Sequence, residues 1–322
     1  MLQLQKKHPI ILQKYSDLYS IDVHEIEEKQ LIAFVSYALK NDKSIAFFKL
    51  PGVDAIQIVQ GTKKSYKTDE VPNDAFVWNS FMDKNVNAII PETPQEDSNE
   101  FNYPFSNKEV TESTFESYKK RMRFALEQLR AKSFEKVVVA RTKHSSYSVS
   151  PTKLFLRLIY SYQNAFCYLL IDREDGVWCG ASPELLWRQS DEVFETNSLA
   201  GTGNFKQNGQ NIPENISLEH DYVLKHIKEV LEKESIGFEQ SKLEVLEAGP
   251  VKHLKTSVKG QFAGDIFKII DKLHPTPAVC GFPQTVTKIF IRNEEDFDRN
   301  LYTGYLGPVF NGQPELYVNL RC

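Results

Sequence analysis

The 322-residue chain is poor in the features that classify many proteins at a glance. It has four cysteines, Cys167, Cys179, Cys280 and Cys322, and none forms a C-x-x-C pair. That spacing offers neither a zinc motif nor a disulfide framework, so reduced thiols are the expectation. No apolar run approaches the length of a bilayer span. The N-terminus, MLQLQKKHPIILQKYSD, lacks an apolar core followed by small residues. No secretory signal is therefore expected, and the cytoplasm is the expected compartment. Excess charge is absent too: 39 Lys and Arg stand against 43 Asp and Glu, a net charge of −4. Without a basic footprint, nucleic acid is excluded as the main partner, and no membrane partner is expected. Repeats and low-complexity tracts are also missing. Nothing calls for a second protein chain, and a monomer acting on a small molecule is the expectation.

What is present is concentrated in a few places. Residues 273–283 read Leu-His-Pro-Thr-Pro-Ala-Val-Cys-Gly-Phe-Pro. Three prolines and a glycine forbid a regular helix, because each proline fixes φ and removes a backbone donor. Both flanks read as helices, near 264–273 and 283–293. A rigid apolar segment between two helices makes a good pocket wall.

Residues 1–90 give weak signals: a helix near 25–40 and strands near 45–50 and 55–60. Residues 91–110 are polar and proline-bearing, and read as a long surface connection. Ser113-x-x-Glu116 has the form of a capping box, with Tyr118, Met122, Ala125, Leu126 and Leu129 following at helical spacing to about 131. Lys136–Arg141, KVVVAR, reads as a strand. Ser150-Pro151 opens a helix to about 163, with proline at its first position. Residues 164–172, 176–181, 184–190 and 192–198 read as an antiparallel meander. Asn215 caps a helix to about Lys233. Strands are expected near 242–248, 253–262, 301–310 and 315–321. Strand runs broken by single helices, with several hairpin-length turns, indicate an α+β fold and not a doubly wound parallel sheet.

Four places could carry chemistry. Lys136 is either a strand-end lysine in solvent or a buried amine able to act as a base. Glu184, after a Ser-Pro turn and before an apolar strand, either points to solvent or is buried; burial raises an acid's pKa and makes it a proton donor near neutrality. Glu219 stands four, eight and eleven residues before Val223, Ile227 and Val230, so it extends an apolar stripe. It is either a helix-start acid favoured by the macrodipole or a group that must be paired, protonated or bound to a cation such as Mg²⁺. Ala200-Gly201-Thr202-Gly203 reads as a turn, with an anion-binding nest as the alternative.

Taken together, these segments resemble the chorismate-utilising enzymes, and within them the isochorismate synthases. The residues that carry the resemblance are Lys136–Arg141, Gly180-Ala-Ser-Pro-Glu184, Leu199-Ala-Gly-Thr202, Leu218-Glu-His220, His253-Leu254, His274-Pro-Thr-Pro-Ala-Val-Cys-Gly281, Phe297-Asp-Arg-Asn-Leu-Tyr302 and Asn319-Leu-Arg-Cys322. They occur in the family's order across 134–322, whereas 1–110 matches only in general character. The resemblance implies one chorismate-binding domain over 1–322, built on large, mostly antiparallel sheets flanked by helices, with a variable part at 1–110 and the catalytic motifs at 111–322.

It also implies roles. Lys136 would be the base that activates water, and Glu184 the acid for the departing hydroxyl. Glu219 would bind Mg²⁺ against the ring carboxylate, and Arg321 would pair with the enolpyruvyl carboxylate. Gly201, Thr202, His253, Ala278 and Tyr302 would line the pocket. The implied reaction is chorismate to isochorismate, an isomerase reaction that could serve menaquinone or siderophore synthesis. Salicylate synthase, which shares the lysine, and a chorismate-binding protein without turnover are the alternatives. Lys136 in place of the glutamine of amine-adding relatives, and Ala200 in place of the nucleophilic lysine of aminodeoxychorismate synthases, favour the first.

The match has two departures. Gly203 stands where the family commonly has a basic residue. In the family the arginine-bearing strand is followed by a further strand, a Gly-Ala-Gly segment and a last helix. That helix carries a second Mg²⁺ glutamate and a lysine, whereas this sequence ends at Cys322. The expectation is a natural protein some tens of residues longer, and weak Mg²⁺ binding with little turnover for these 322 residues alone.

Overall fold

A computed structural model describes residues 18–98, 112–145, 149–203, 212–248 and 251–322. In chain order its elements are β1 (Tyr19–Asp22), α1 (Glu28–Lys40), β2 (Ser44–Lys49), β3 (Ala55–Tyr66), β4 (Ala75–Asn79), β5 (Val86–Glu92), α2 (Phe115–Arg130), β6 (Lys136–Val137), α3 (Pro151–Ser161), β7 (Phe166–Asp172), β8 (Gly176–Ser182) and β9 (Leu185–Ser190). There follow β10 (Val193–Gly203), α4 (Glu214–Lys233), β11 (Phe238–Gln240), β12 (Glu244–Ala248), β13 (Val251–Gln261), α5 (Ile266–Leu273), β14 (Gly281–Phe282), α6 (Gln284–Glu294), β15 (Tyr305–Phe310) and β16 (Gln313–Val318).

Among the described residues, fourteen strands join in one sheet of order β11-β13-β10-β9-β16-β15-β4-β5-β3-β2-β7-β8, with β1 beside β3 and β12 beside β13. Each pairing is antiparallel, for example Tyr168 opposite Gly180 and Phe47 opposite Leu169. β6 and β14 form a separate two-stranded ladder. This is the α+β arrangement the sequence leads one to expect.

The period-two alternation of the strands builds two kinds of core. Phe48, Phe76, Trp78, Phe166, Tyr168 and Tyr317 point to one face, where they meet one another. Phe166 stacks on Tyr317 with centroids 4.4 Å apart, although β7 and β16 lie far apart in strand order. The sheet therefore curls so that two parts of the same face pack together. The alternate residues face outward and are covered by helices. Phe47 and Leu169 meet Leu31, Phe34 and Phe155 of α1 and α3. Trp187, Phe194 and Leu316 meet Val223, Ile227 and Ile270 of α4 and α5. Each fully buried large apolar side chain contributes about 1.5–3 kcal/mol over an exposed one. These faces therefore hold the helices in place more firmly than their end caps do.

Several local expectations are corrected. The helix start near 113 is capped by Thr114, whose hydroxyl accepts from Ser117 N at 3.1 Å, while Ser113 bonds to Thr142. α4 starts at Glu214, so Asn215 lies inside it; the Pro213 carbonyl accepts from Ile216 and Ser217. KVVVAR is a strand only at Lys136 and Val137. The four runs from 164 to 198 form two separate hairpins instead of a meander. Pro183, lacking an N–H, breaks the path after β8, and the Glu184 carbonyl accepts from Val318 N at 3.0 Å. β9 thereby pairs with β16 and not with β8, although Ser182 Oγ of β8 still donates to the Val318 carbonyl at 2.6 Å. Gly201 lies in β10 at a bulge, where the register against β13 shifts between Ala200 and Thr202; it is not a turn. Its φ of +79° suits glycine, and a Cβ there would lie 2.4 Å from the Ile216 carbonyl oxygen. The N-terminal segment 1–17 and part of the 91–110 connection lie outside the described residues; β5 itself runs through Glu92.

Candidate active site

The break between β8 and β9 leaves Glu184 inside the protein, only 1% exposed. Thr276, from the proline segment, donates its hydroxyl to Glu184 Oε1 at 3.1 Å. Oε2 is buried and has no hydrogen-bond partner among the described residues. Burial raises the carboxyl from 4.5 to about 7, against the opposing pull of the Thr276 hydrogen bond and the Lys136 charge; the Glu219 charge raises it further. Near neutrality Glu184 thus populates both forms, and its free oxygen is where a proton can be passed on. The solvent-facing alternative for this residue is excluded.

Lys136 opens the short ladder with β14, in the register Lys136 opposite Phe282 and Val137 opposite Gly281. The approach is close: a Cβ on Gly281 would lie 2.3 Å from the Lys136 carbonyl oxygen, and its φ is +149°. The ladder aims the Lys136 side chain at two acceptors. Nζ donates to Glu219 Oε1 at 3.1 Å and to the Pro277 carbonyl at 2.7 Å. Its side chain is 14% exposed, and that of Glu219 is 39% exposed. Lys136 is therefore neither a solvent lysine nor an unpaired buried amine. Glu219 lies where the buried stripe of α4 reaches the surface, and of the readings open for it the structure shows it paired, with Lys136. A cavity of about 590 Å³ opens beside this pair between α2 and α4, with Met122, Leu126, Leu129 and Tyr222 among its walls.

A second group converges from β10, β13 and the end of the chain. The Arg321 guanidinium donates to His253 Nε2 at 2.6 Å, and His253 Nδ1 lies 2.8 Å from Thr202 Oγ1. A guanidinium is always charged and can only donate. His253 Nε2 must accept, so the ring is neutral and its proton sits on Nδ1, donated to Thr202. Burial, followed by the Arg321 charge, lowers His253 from 6.5 to about 4, in keeping with that tautomer. Arg321 is held beside β8 by a bond from Ala181 N to its carbonyl at 2.9 Å.

Of the residues singled out by sequence, the structure thus bonds Lys136 to Glu219 and Thr202 to His253 to Arg321, and brings the Glu184 carboxyl within reach of the Lys136 and Glu219 charges. Gly201 shapes the bulge beneath Thr202. Ala278 follows the carbonyl that holds Lys136. Tyr302 sits in a local turn, its N–H bonded to the Arg299 carbonyl at 2.9 Å, outside these two bonded groups. Sequence reasoning missed Thr276 and the Pro277 carbonyl. The available signal was a hydroxyl between two prolines, in a segment already marked as a pocket wall.

Among the described residues no group of three or more His, Cys, Asp or Glu side chains could hold a metal. Glu219 is nevertheless a half-exposed oxygen donor at the site. Mg²⁺ usually takes one or two carboxylates and completes its shell with water and substrate oxygens. The site fits Mg²⁺ in that sense.

A large curled antiparallel sheet that carries a buried acid, a lysine paired with a glutamate and an arginine bonded to a neutral histidine defines a class. The chain belongs to the chorismate binding enzyme family, whose model matches residues 73–322. It is 27% identical over 231 residues to the vibriobactin-specific isochorismate synthase of Vibrio cholerae, covering 67% of this chain and 58% of that protein. It is 30% identical over 199 residues to isochorismate synthase MenF of Bacillus subtilis, covering 57% and 42% respectively. The chain thus spans about half the length of the curated relatives it matches. The solved structure of the menaquinone-specific isochorismate synthase MenF from Escherichia coli shares the fold, with a TM-score of 0.73 at 19% identity, over 94% of this chain and 85% of that one.

Proposed function

We propose that this chain converts chorismate to isochorismate, as one chorismate-binding domain. The observation that carries the reading is Glu184: a fully buried carboxyl raised to about 7, with one oxygen unengaged, in the electrostatic reach of Lys136. A group that holds a proton near neutrality in a dry site suits general acid catalysis.

In this mechanism water bonds to ring carbon C2 as Lys136 takes its proton. The ring double bonds shift, the C4–oxygen bond breaks, and Glu184 gives its proton to the departing hydroxyl, which leaves as water. Lys136 presents an N–H to Glu219, and an ammonium has no lone pair with which to accept. Lys136 therefore works in this step as the neutral amine, whose lone pair takes the water's proton while an N–H can stay on Glu219. Arg321 would meet the enolpyruvyl carboxylate with a planar fork suited to it, while neutral His253 and Thr202 line the ring site with Gly201, Ala278 and Tyr302. Glu219 would hold Mg²⁺, which when bound supplies charge neutralisation and orientation at the ring carboxylate.

The test is product analysis after incubation with chorismate and Mg²⁺, by chromatography and fluorescence. Isochorismate is the expected product. A strongly fluorescent product would instead indicate salicylate formation, and calorimetric binding of chorismate without product would indicate a binding protein; either result overturns the proposal.

A further inference from the structure

The residues that follow Lys136 have almost no strand partners, yet their main chain is bonded. Val138 N donates to the Cys280 carbonyl at 2.8 Å. The Val138 carbonyl accepts from Arg299 Nη2 at 2.7 Å, and Ala140 N donates to Glu295 Oε1 at 2.8 Å. Arg299 and Glu295 form a bidentate pair along one guanidinium edge, Nε to Oε2 at 2.7 Å and Nη2 to Oε1 at 2.6 Å. Both side chains are buried, 2% and 3% exposed.

The same guanidinium reaches the opposite wall. Arg299 Nη1 donates to the Val279 carbonyl at 2.9 Å. Val279 stands two residues after Pro277, whose carbonyl holds Lys136, and three after Thr276, whose hydroxyl holds Glu184. One planar fork thus spans the lysine-bearing strand and the segment that touches both titratable groups. A lysine could keep the charge but not these fixed directions.

We infer that the buried Glu295–Arg299 pair is a positioning element that sets the separation of Lys136 and Glu184 by gripping the main chain at Val138, Ala140 and Val279. Neither residue touches the reacting atoms; each acts through Thr276, Pro277 and the Lys136 strand. The inference rests on the proposed roles of Lys136 and Glu184. Small misplacements of reacting groups cost rate more than binding.

The experiment compares Arg299→Lys with the unaltered chain. Folding is checked by circular dichroism, kcat and KM are measured with chorismate and Mg²⁺, and the Glu184 titration is followed by carboxyl ¹³C NMR without substrate. The expected result is a folded variant with kcat reduced at least about tenfold, KM within about threefold, and a displaced Glu184 midpoint. A folded variant with kcat and midpoint unchanged overturns the inference, as does a loss of kcat that only matches the loss of folded protein. Should Arg299→Lys not fold, Glu295→Gln, which keeps an acceptor for Ala140 N, is judged by the same criteria. If the unaltered chain makes no isochorismate, the proposed reaction fails, while the Glu184 midpoint still decides whether the pair positions that group.

Discussion

Lys136 and Glu219 are bonded to each other, Nζ to Oε1 at 3.1 Å, although they come from a two-residue strand and the first turns of a helix 83 residues further on. The two groups assigned to water activation and to cation binding therefore share a proton-bearing contact. Loss of either alters the other. Lys136→Ala is expected to lower turnover by about 10²–10⁴-fold, the range for a general base, while chorismate binding stays within a few-fold. Steady-state kinetics beside calorimetry check this; normal turnover would remove Lys136 from the mechanism.

Glu184 gives a pH signature. Its folded-state value of about 7 lies above the ordinary 4.5. Between those values the folded protein keeps a proton that the unfolded chain has lost. Stability from this group is therefore full below about pH 4.5, falls as the pH rises toward 7, and is level above. The span is on the order of 3 kcal/mol. Glu184→Gln should abolish this part of the slope, so that urea midpoints of the two proteins diverge between about pH 5 and about pH 8, with the variant the more stable at the high end. Its turnover should be lost across that range.

The neutral His253 is testable by ¹⁵N NMR, which should find the proton on Nδ1 and no ring protonation until the pH nears 4. Arg321→Met removes both the donor to Nε2 and the adjacent positive charge. The His253 midpoint should then rise toward 6.5, and KM for chorismate should rise by about tenfold to a hundredfold, the worth of a charge-assisted hydrogen bond. An unmoved His253 midpoint would contradict the contact.

Gly201 should tolerate no side chain. With φ at +79° and the Ile216 carbonyl 2.4 Å from where a Cβ would lie, Gly201→Ala should cost about 1–3 kcal/mol. Because Ile216 belongs to α4, the displacement should also weaken cation binding at Glu219. Chemical denaturation and Mg²⁺ titration read the two effects; an alanine variant as stable as the parent would show that the bulge is not constrained.

The fold was legible wherever a period ran long enough. α1 shows Leu31, Phe34, Ala38 and Leu39 at helical spacing, and all four are buried. β2 and β7 are buried on both faces, so they read as short apolar runs without alternation, and which core each side chain joins was decided by the fold. Boundaries were legible only where a local cap decides them. Ser150 caps α3 as expected, by accepting from Lys153 N at 3.3 Å. At α2 two adjacent hydroxyl residues compete, and Thr114 takes the cap because Ser113 is drawn to Thr142 across the fold. KVVVAR has strand composition, but its later carbonyls and N–H groups are satisfied by Arg299, Glu295 and Arg121, and side-chain partners so distant leave no periodic trace.

The sequence alone determined the chemistry available: which residues carry protons or charge, the antiparallel α+β class, and the ordered motifs that resemble one family. Those follow from local spacing and residue type, both of which act along the chain. Only the tertiary structure decided what state those residues are in. Burial of Glu184 depends on β9 leaving β8 for β16. The pairing of Lys136 depends on Gly281 admitting the strand beside it. The tautomer of His253 depends on Arg321 arriving from 68 residues away. Desolvation and hydrogen-bond geometry are properties of neighbours in space, and the neighbours here come from opposite ends of a curled sheet.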